Sequence, residues 1–175
     1  MTQQRLQRLL DKQEISEVLA RYFRGADRMD RELVRSCYHS DAVDVHGGFE
    51  GGVEDYIDWS FGLLRKYTST FHFMGNLLIE LDGDRARSET YGVAYHRTTG
   101  GRPQGNLITG FRFIDDFERR QDGVWRIARR LGTTEWCRVD DEAGWWTFPE
   151  HFPSGRRDRG DPVYAPLGEP PGARS

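Results

Sequence analysis

The sequence predicts an α+β domain in which three N-terminal helices pack on one face of a curved antiparallel sheet. Before Tyr67, apolar residues recur three or four positions apart, as on one face of a helix. After Tyr67 the period changes to two, in long segments rich in β-branched and aromatic residues. Short turns rich in Asp and Gly join these segments. Helices first and a hairpin-linked sheet second is the order typical of the α+β class.

Three helices are predicted ahead of the sheet. The first covers about 6–26, where apolar side chains form one stripe for burial against a core. Asp30 is placed to accept hydrogen bonds from the first turn of a second, short helix that reaches Cys37. The third covers about 53–66 and is rich in aromatic and aliphatic side chains. Together they supply the apolar layer that covers the sheet.

Alternating residues predict four long strands. Their bounds are 70–81, 85–98, 106–119 and 124–136. Turns are expected at 82–84, 99–103 and 121–123, because Asp and Gly tolerate the positive φ of tight hairpins. A further short strand is expected over 43–46. The strands therefore form an antiparallel meander with the helices on one face.

One domain is expected over 1–148, followed by an arm over 149–175. A chain of 175 residues removes about 70% of its unfolded surface from water, which suffices for one core without metals or disulfides. Six of the seven prolines lie after residue 148, so no regular structure is predicted there. The arm is expected to lie over the domain or a neighbouring subunit, or to be disordered.

Charge and cysteine usage exclude several classes of protein. Lys and Arg number 25 against 28 Asp and Glu, so no strong field attracts nucleic acid or anionic lipid. The two cysteines, Cys37 and Cys137, have no metal-ligand spacing. No apolar run reaches the roughly 18 residues of a membrane span, and no signal peptide is evident. We expect a cytoplasmic protein with neither nucleic-acid nor membrane partners and without metal or cofactor.

Two histidines are candidates for acid–base chemistry. Pairing through the 82–84 turn places His72 opposite Ala94 and diagonal to His96, so both imidazoles can share one cavity. Small residues on the His96 face, including Gly92, leave volume beside the ring. Either face of the His72 strand could point inward, and a core or strand-end histidine explains each position equally well. A metal site would need His46 as third ligand, and none is predicted.

Further candidates lie on the first helix and the last two strands. Tyr22 and Asp27 are five residues apart, so they converge only if the helix ends or bends near Gly25. The alternative is a core tyrosine and a turn aspartate. Charges at 112, 115, 116, 129 and 130 are expected to be mostly solvated. Alternation places Arg129 on the inward face and Arg130 on the opposite one, unless a bulge intervenes.

Five segments carry a resemblance to a known family. They are Arg21-Tyr22, 25–30, 70–76, 94–96 and 122–127. With these motifs the chain resembles, over about 10–136, the SnoaL-like branch of the NTF2-like superfamily, which includes scytalone dehydratase, bile-acid 7α-dehydratase and lindane dehydrochlorinase. The resemblance implies a cone-shaped α+β fold. It also implies a cofactor-independent lyase that acts on a small aromatic or polycyclic substrate.

The resemblance further implies roles for individual residues. His72 is expected to be the base, Asp27 its partner, and Tyr22 or His96 the group that protonates the leaving oxygen. The expected substrate-binding residues are Phe23, His46, Trp59, Phe73, Phe111, Phe113 and Arg129. The same set serves an acid–base elimination, as in a dehydratase, or a retro-aldol cleavage. The chain departs from scytalone dehydratase at Ala26 and near Val45, where that enzyme has tyrosines.

Two other functions remain open at this point: an isomerase or epoxide hydrolase on the same fold, and a non-catalytic binding or assembly module. A homo-oligomer, dimer or trimer, is expected because an aromatic sheet face needs cover. The aromatic residues assigned to that face are Tyr91, Tyr95, Phe111 and Phe117.

Overall fold

The computed structural model describes residues 2–98, 105–140, 149 and 151–168. The helices are α1 (Gln3–Asp27), α2 (Arg31–Ser36) and α3 (Val53–Leu64). The strands are β1 (Tyr38–His46), β2 (Phe49–Gly52), β3 (Ser69–Asp82), β4 (Arg85–Thr98), β5 (Gly105–Arg119) and β6 (Trp125–Asp140). None of the described helices has the length and apolar character needed to cross a membrane.

The six strands form one sheet in the order β2-β1-β6-β5-β4-β3, and β1 and β6 are its only parallel neighbours among the described residues. The helices and the sheet share one apolar core that includes Ile15, Phe61 and Trp125. The predicted α+β class is confirmed, as are the three helices and four long strands. β2 was not predicted, because its four residues, three of them polar or Gly, show no alternation.

The predicted pairing of β3 with β4 is confirmed. Thr70 lies opposite His96 and His72 lies opposite Ala94. Gly83 has a φ of 59° in the connecting turn, as the hairpin requires. The predicted turn at 99–103 lies outside the described residues. This register sets both histidines on the helix-covered face of the sheet.

A β-bulge reverses the predicted orientation of two arginines on β6. Asp116 pairs with Arg129 and Phe117 with Ile127, so Ala128 is an extra residue on β6. Beyond it the alternation shifts by one position. Arg129 is exposed and Arg130 is fully buried at 0% exposure. The prediction that Arg129 faces inward was wrong for this reason.

The outer face of the sheet carries exposed aromatic side chains. They include Phe71, Phe73, Tyr91, Tyr95 and Trp136. Phe73 was predicted to bind substrate but does not reach the cavity. Because His72 points inward, Phe73 points to the outer face, where it is 58% exposed. Phe111 and Phe117 were assigned to the outer face and are buried on the inner one.

Residues 151–168, which we call the C-terminal strap, fold back on the same domain. Asp161 forms an ion pair with Arg28 at 3.4 Å. Asp30, which caps α2, also accepts hydrogen bonds from Arg159 at 3.0 Å and from the Tyr164 hydroxyl at 2.8 Å. A 3₁₀ turn covers Pro162–Tyr164, and the other residues of the strap form neither helix nor strand.

Candidate active site

A cavity of about 310 Å³ lies between the helices and the concave face of the sheet. Its walls are largely aromatic, with Trp59, Phe111 and Phe113 among them. Its polar residues include His72 and His96 toward β3 and β4, and Tyr22, His46 and Tyr56 toward β1 and α3. Such a cavity has the size and character of a small-molecule site.

Asp27 and His72 form a tightly held pair at one end. The Asp27 Oδ1 atom lies 2.6 Å from Nδ1 of His72, and Oδ2 accepts the backbone N–H of the same residue at 3.0 Å. Both side chains are largely buried, at 9% and 13% exposure. A carboxylate at Nδ1 keeps the proton on that nitrogen, so the unprotonated Nε2 is left for the cavity.

The end of α1 explains how Asp27 reaches this position. α1 stops at Asp27, and Met29 takes the left-handed conformation with a φ of 56°. A Cβ atom on Gly25 would lie 2.7 Å from the Val34 side chain, so only glycine lets α2 pack this closely. The chain therefore turns at once, and Asp27 is directed at β3 rather than at solvent.

His96 lies beside this pair, on the neighbouring strand β4. Its ring lies 5.5 Å from that of His72 and stacks on Tyr67 at 4.5 Å. Burial, with the nearby charges of His72 and Arg157, lowers the pKa of His96 to about 3. His96 is therefore neutral at physiological pH. The volume expected beside Gly92 is filled by the Phe111 ring, which leaves no room for a Cβ atom there.

Tyr22 lies at the other end of the cavity. Its hydroxyl is hydrogen-bonded to that of Tyr56, which lies 3.3 Å from Nδ1 of His46. Burial raises the pKa of Tyr22 to about 12. Tyr22 and Asp27 thus engage different partners, and the structure does not bring them together. Sequence reasoning missed Tyr56, whose place on the inner face of α3 is the ordinary place of a core aromatic.

A buried charged cluster lies behind Tyr22. Arg130 binds Asp115 through two hydrogen bonds of 2.7 and 2.8 Å, and both side chains are fully buried. Arg130 also donates to Tyr38 at 3.0 Å, which in turn donates to Asp44 at 2.8 Å. The guanidinium lies 4.0 Å from the Tyr22 ring centroid. Burial raises the pKa of Asp44 to about 6.

The other predicted residues divide between cavity and core. Trp59, His46, Phe111 and Phe113 line the cavity, and their binding of substrate stays a prediction. Phe23 lies in the core, with its ring 5.9 Å from that of His72. Across the described ranges, no three His, Cys, Asp or Glu side chains are grouped as metal ligands.

The C-terminal strap binds the backbone of the cavity wall through Arg157. Arg157 donates to the backbone carbonyls of Leu64, at 2.9 Å, and of Tyr67. Leu64 and Tyr67 both line the cavity, and Tyr67 stacks on His96. The strap therefore fixes the segment between α3 and β3 against the site.

Three helices packed over a curved sheet, with a cavity between them that His72 lines, define a domain of the NTF2-like fold. Residues 7–131 match the model of the SnoaL-like domain, and the chain belongs to that family. An uncharacterized protein of Mycobacterium tuberculosis is 31% identical over 126 residues, which cover 70% of this chain and 84% of that protein.

Two solved structures share the fold. A hexachlorocyclohexane dehydrochlorinase (LinA) superposes with a TM-score of 0.72 at 21% identity, over 84% of this chain and 99% of the other. A putative scytalone dehydratase from Novosphingobium aromaticivorans gives 0.67 at 21% identity, over 80% and 97%. The expected resemblance to the SnoaL-like branch is confirmed at the level of family and fold.

Proposed function

We propose that the protein is a cofactor-independent lyase that acts on a small ring-bearing substrate. The observation that carries the proposal is the Asp27–His72 pair, in which both carboxylate oxygens hold one residue and Nε2 is left for an apolar cavity. An imidazole held in this way is suited to remove a proton from carbon. The aromatic walls exclude water and accept a ring.

In the proposed elimination, Nε2 of His72 takes a proton from a carbon of the substrate. The electrons of that C–H bond form a double bond to the adjacent carbon, whose C–O bond breaks. His96, 5.5 Å from His72, is the nearer of the two predicted donors and hydrogen-bonds the leaving oxygen. The proton taken by His72 can return to that oxygen, which then leaves as water. Asp27 stabilises the imidazolium formed in between.

The comparisons support an elimination over other reactions of the fold. Both solved structures cited above carry names of enzymes that eliminate a small group, a dehydrochlorinase and a dehydratase. Retro-aldol cleavage needs the same base and donor, with the proton removed from a hydroxyl instead of a carbon. It is therefore the second candidate within the same lyase class.

The proposal is tested by proton NMR in deuterated water, with a panel of aromatic and alicyclic β-hydroxy ketones. Wild type is compared with His72→Gln, and with His151→Gln as a control at an exposed histidine of the strap. We expect exchange or elimination in wild type and in the control, and loss of both in His72→Gln. A panel that binds without any exchange or elimination would instead support a non-catalytic binding module.

We further propose a cytoplasmic homo-oligomer, in which the exposed aromatic side chains of the outer sheet face meet a second copy. Phe71, Phe73 and Trp136 are each about half exposed on that face. Sedimentation of wild type against Phe73→Ser tests the contact, since a larger species is expected only for wild type.

A further inference from the structure

His46 is held at Nδ1 by a partner that differs in kind from that of His72. The Tyr56 hydroxyl lies 3.3 Å from Nδ1, whereas the nearest Asp44 oxygen lies 3.8 Å away, too far for a hydrogen bond. The side chain is 31% exposed and lines the cavity. Its Nε2 has no hydrogen-bond partner in the part of the chain that the structure describes.

The direction of the hydrogen bonds fixes the position of the His46 proton. The Tyr22 and Tyr56 hydroxyls are both buried, and each has one proton to donate. If Tyr22 donates to Tyr56 and Tyr56 donates to Nδ1, both protons have acceptors. The reverse order leaves the buried Tyr22 proton without an acceptor among the described residues. A buried, unsatisfied donor is costly, so Nδ1 accepts and the imidazole proton resides on Nε2.

The surroundings keep this imidazole neutral. The exposed part of His46 belongs to a side chain that lines the cavity, where the surrounding protein limits its hydration; this desolvation, together with the charge of Arg130, lowers the pKa of His46 to about 3. A neutral ring with an occupied Nδ1 acceptor has one polar function left, the Nε2–H donor. The rings of Phe113, at 5.2 Å, and Trp59, at 6.2 Å, surround it with apolar surface. A ligand oxygen at this position would therefore bind in a desolvated site.

We propose that the Nε2–H of His46, oriented through Tyr56 and Tyr22, binds the carbonyl oxygen of the substrate. The substrate is then a conjugated ring ketone or aldehyde, whose oxygen lies at His46 while His72 acts on a carbon at the other end. This inference deepens the proposed lyase function and rests on it for the position of the reacting carbon. The donor site itself is open to test by binding alone.

His72 at one end of the cavity and His46 at the other can act on the same substrate molecule. Between them Phe111 and Phe113 lie with ring centroids 4.6 Å apart, and the ring of His72 lies 6.2 Å from that of Phe111. Negative charge that forms when His72 removes a proton spreads through a conjugated ring to the carbonyl oxygen. A donor fixed at that oxygen stabilises this charge more than it stabilises the neutral ketone. His46 would thus bind the substrate and also lower the barrier.

The first test is the tautomer of each histidine, read from long-range proton–nitrogen NMR spectra of protein with isotope-labelled histidine. The five histidines are assigned with single Gln variants. We expect His46 to have its proton on Nε2 and His72 to have its proton on Nδ1. A His46 proton found on Nδ1 overturns the proposal.

The second test is calorimetric binding of a matched pair of probes, acetophenone and ethylbenzene, which differ in the carbonyl. We expect wild type to prefer the ketone about tenfold, the usual effect of one hydrogen bond. The preference should vanish in His46→Gln and fall in Tyr56→Phe, which keeps the ring packing. His96→Gln tests the alternative donor at the other end, and His151→Gln, at an exposed histidine outside the cavity, is the control that should retain the preference.

The outcomes separate the two proposals. Equal affinity for both probes, or a preference lost in His96→Gln and kept in His46→Gln, overturns the His46 site. Loss of the ketone preference in His46→Gln supports the site, even when no deuterium exchange depends on His72. In that case the donor site stands and the lyase function fails.

Discussion

Two of the three histidines that line the cavity, His46 and His72, each have an aspartate beside them. Asp27 lies 2.6 Å from Nδ1 of His72, whereas Asp44 lies 3.8 Å from Nδ1 of His46 and leaves that nitrogen to a tyrosine. A carboxylate at Nδ1 makes the opposite nitrogen an acceptor, and a hydroxyl that donates to Nδ1 makes it a donor. A difference of about one ångström in the distance of a carboxylate from Nδ1 therefore decides whether Nε2 of a histidine accepts or donates a hydrogen bond.

The largest effect is expected from Asp27→Asn. The amide oxygen would keep the bond to the His72 backbone N–H, which turns the NH₂ group toward Nδ1 and moves the proton to Nε2. We expect proton exchange to fall roughly 100- to 10,000-fold, the range for loss of a general base. The measurement is the exchange rate by NMR.

Asp44→Asn is the matched variant at the other end. Asp44 does not contact His72 and forms no hydrogen bond to His46, so we expect the exchange rate of Asp44→Asn to change less than about tenfold. A loss as large as that of Asp27→Asn would contradict the distinction between the two ends.

Arg130→Met should have the next largest effect, on stability. It leaves Asp115 buried without its partner, and a broken buried ion pair costs about 3–5 kcal/mol. Arg129→Met removes the same group from the exposed side of the bulge and should cost less than about 0.5 kcal/mol. Urea unfolding of both variants measures the difference. Equal free energies of unfolding would contradict the assignment of the bulge.

A smaller effect is expected from pH. The folded-state pKa values of His46 and His96 are lowered to about 3, so the unfolded chain binds more protons between about pH 3 and 6.5. Stability from these groups is present above pH 6.5 and is lost as pH falls. We expect Tm to fall by roughly 3–5 °C per pH unit for each histidine below pH 6.5.

His46→Gln and His96→Gln should each flatten this dependence, whereas His151→Gln should leave it unchanged. Asp44 acts in the opposite sense, because its pKa is raised to about 6 and the stability it contributes is lost as pH rises from 3.8 to 6. Asp44→Asn should therefore make the fall of Tm on acidification steeper. Scanning calorimetry at a series of pH values measures all four variants.

The smallest effect is expected from Arg157→Gln. This change removes the hydrogen bonds from the strap to the backbone carbonyls of Leu64 and Tyr67. Tyr67 would stack less firmly on His96, so we expect KM to rise roughly threefold with kcat nearly unchanged. Arg156→Gln is the control, since that side chain is 61% exposed. An equal KM for both variants would show that the strap does not order the site.

The sequence predicted what depends on periodicity and turn chemistry. The hairpin register put His72 opposite Ala94 and near His96. The pairing of Asp27 with His72 followed from the family resemblance instead, because helix spacing alone left Asp27 as a turn residue. It did not predict which strand face points inward at Phe73, since both faces alternate equally well.

The charged cluster was missed for a different reason. The bulge at Ala128 leaves no mark in the sequence, so Arg129 was chosen over Arg130. The partnership of Tyr56 with His46 depends on how α3 packs against β1, a contact between elements that a sequence pattern does not encode.

The bulge has a consequence for comparing homologues. Because Ala128 is the extra residue, its deletion would leave the former Arg129 and Arg130 opposite Asp116 and Asp115, with the buried ion pair preserved. An alignment that scores identities alone would match either arginine of a homologue to either arginine here. Homologues that retain this cluster are therefore recognised by an arginine of β6 that pairs with the equivalent of Asp115 on β5, rather than by a fixed spacing from the Trp-Arg-Ile segment at 125–127.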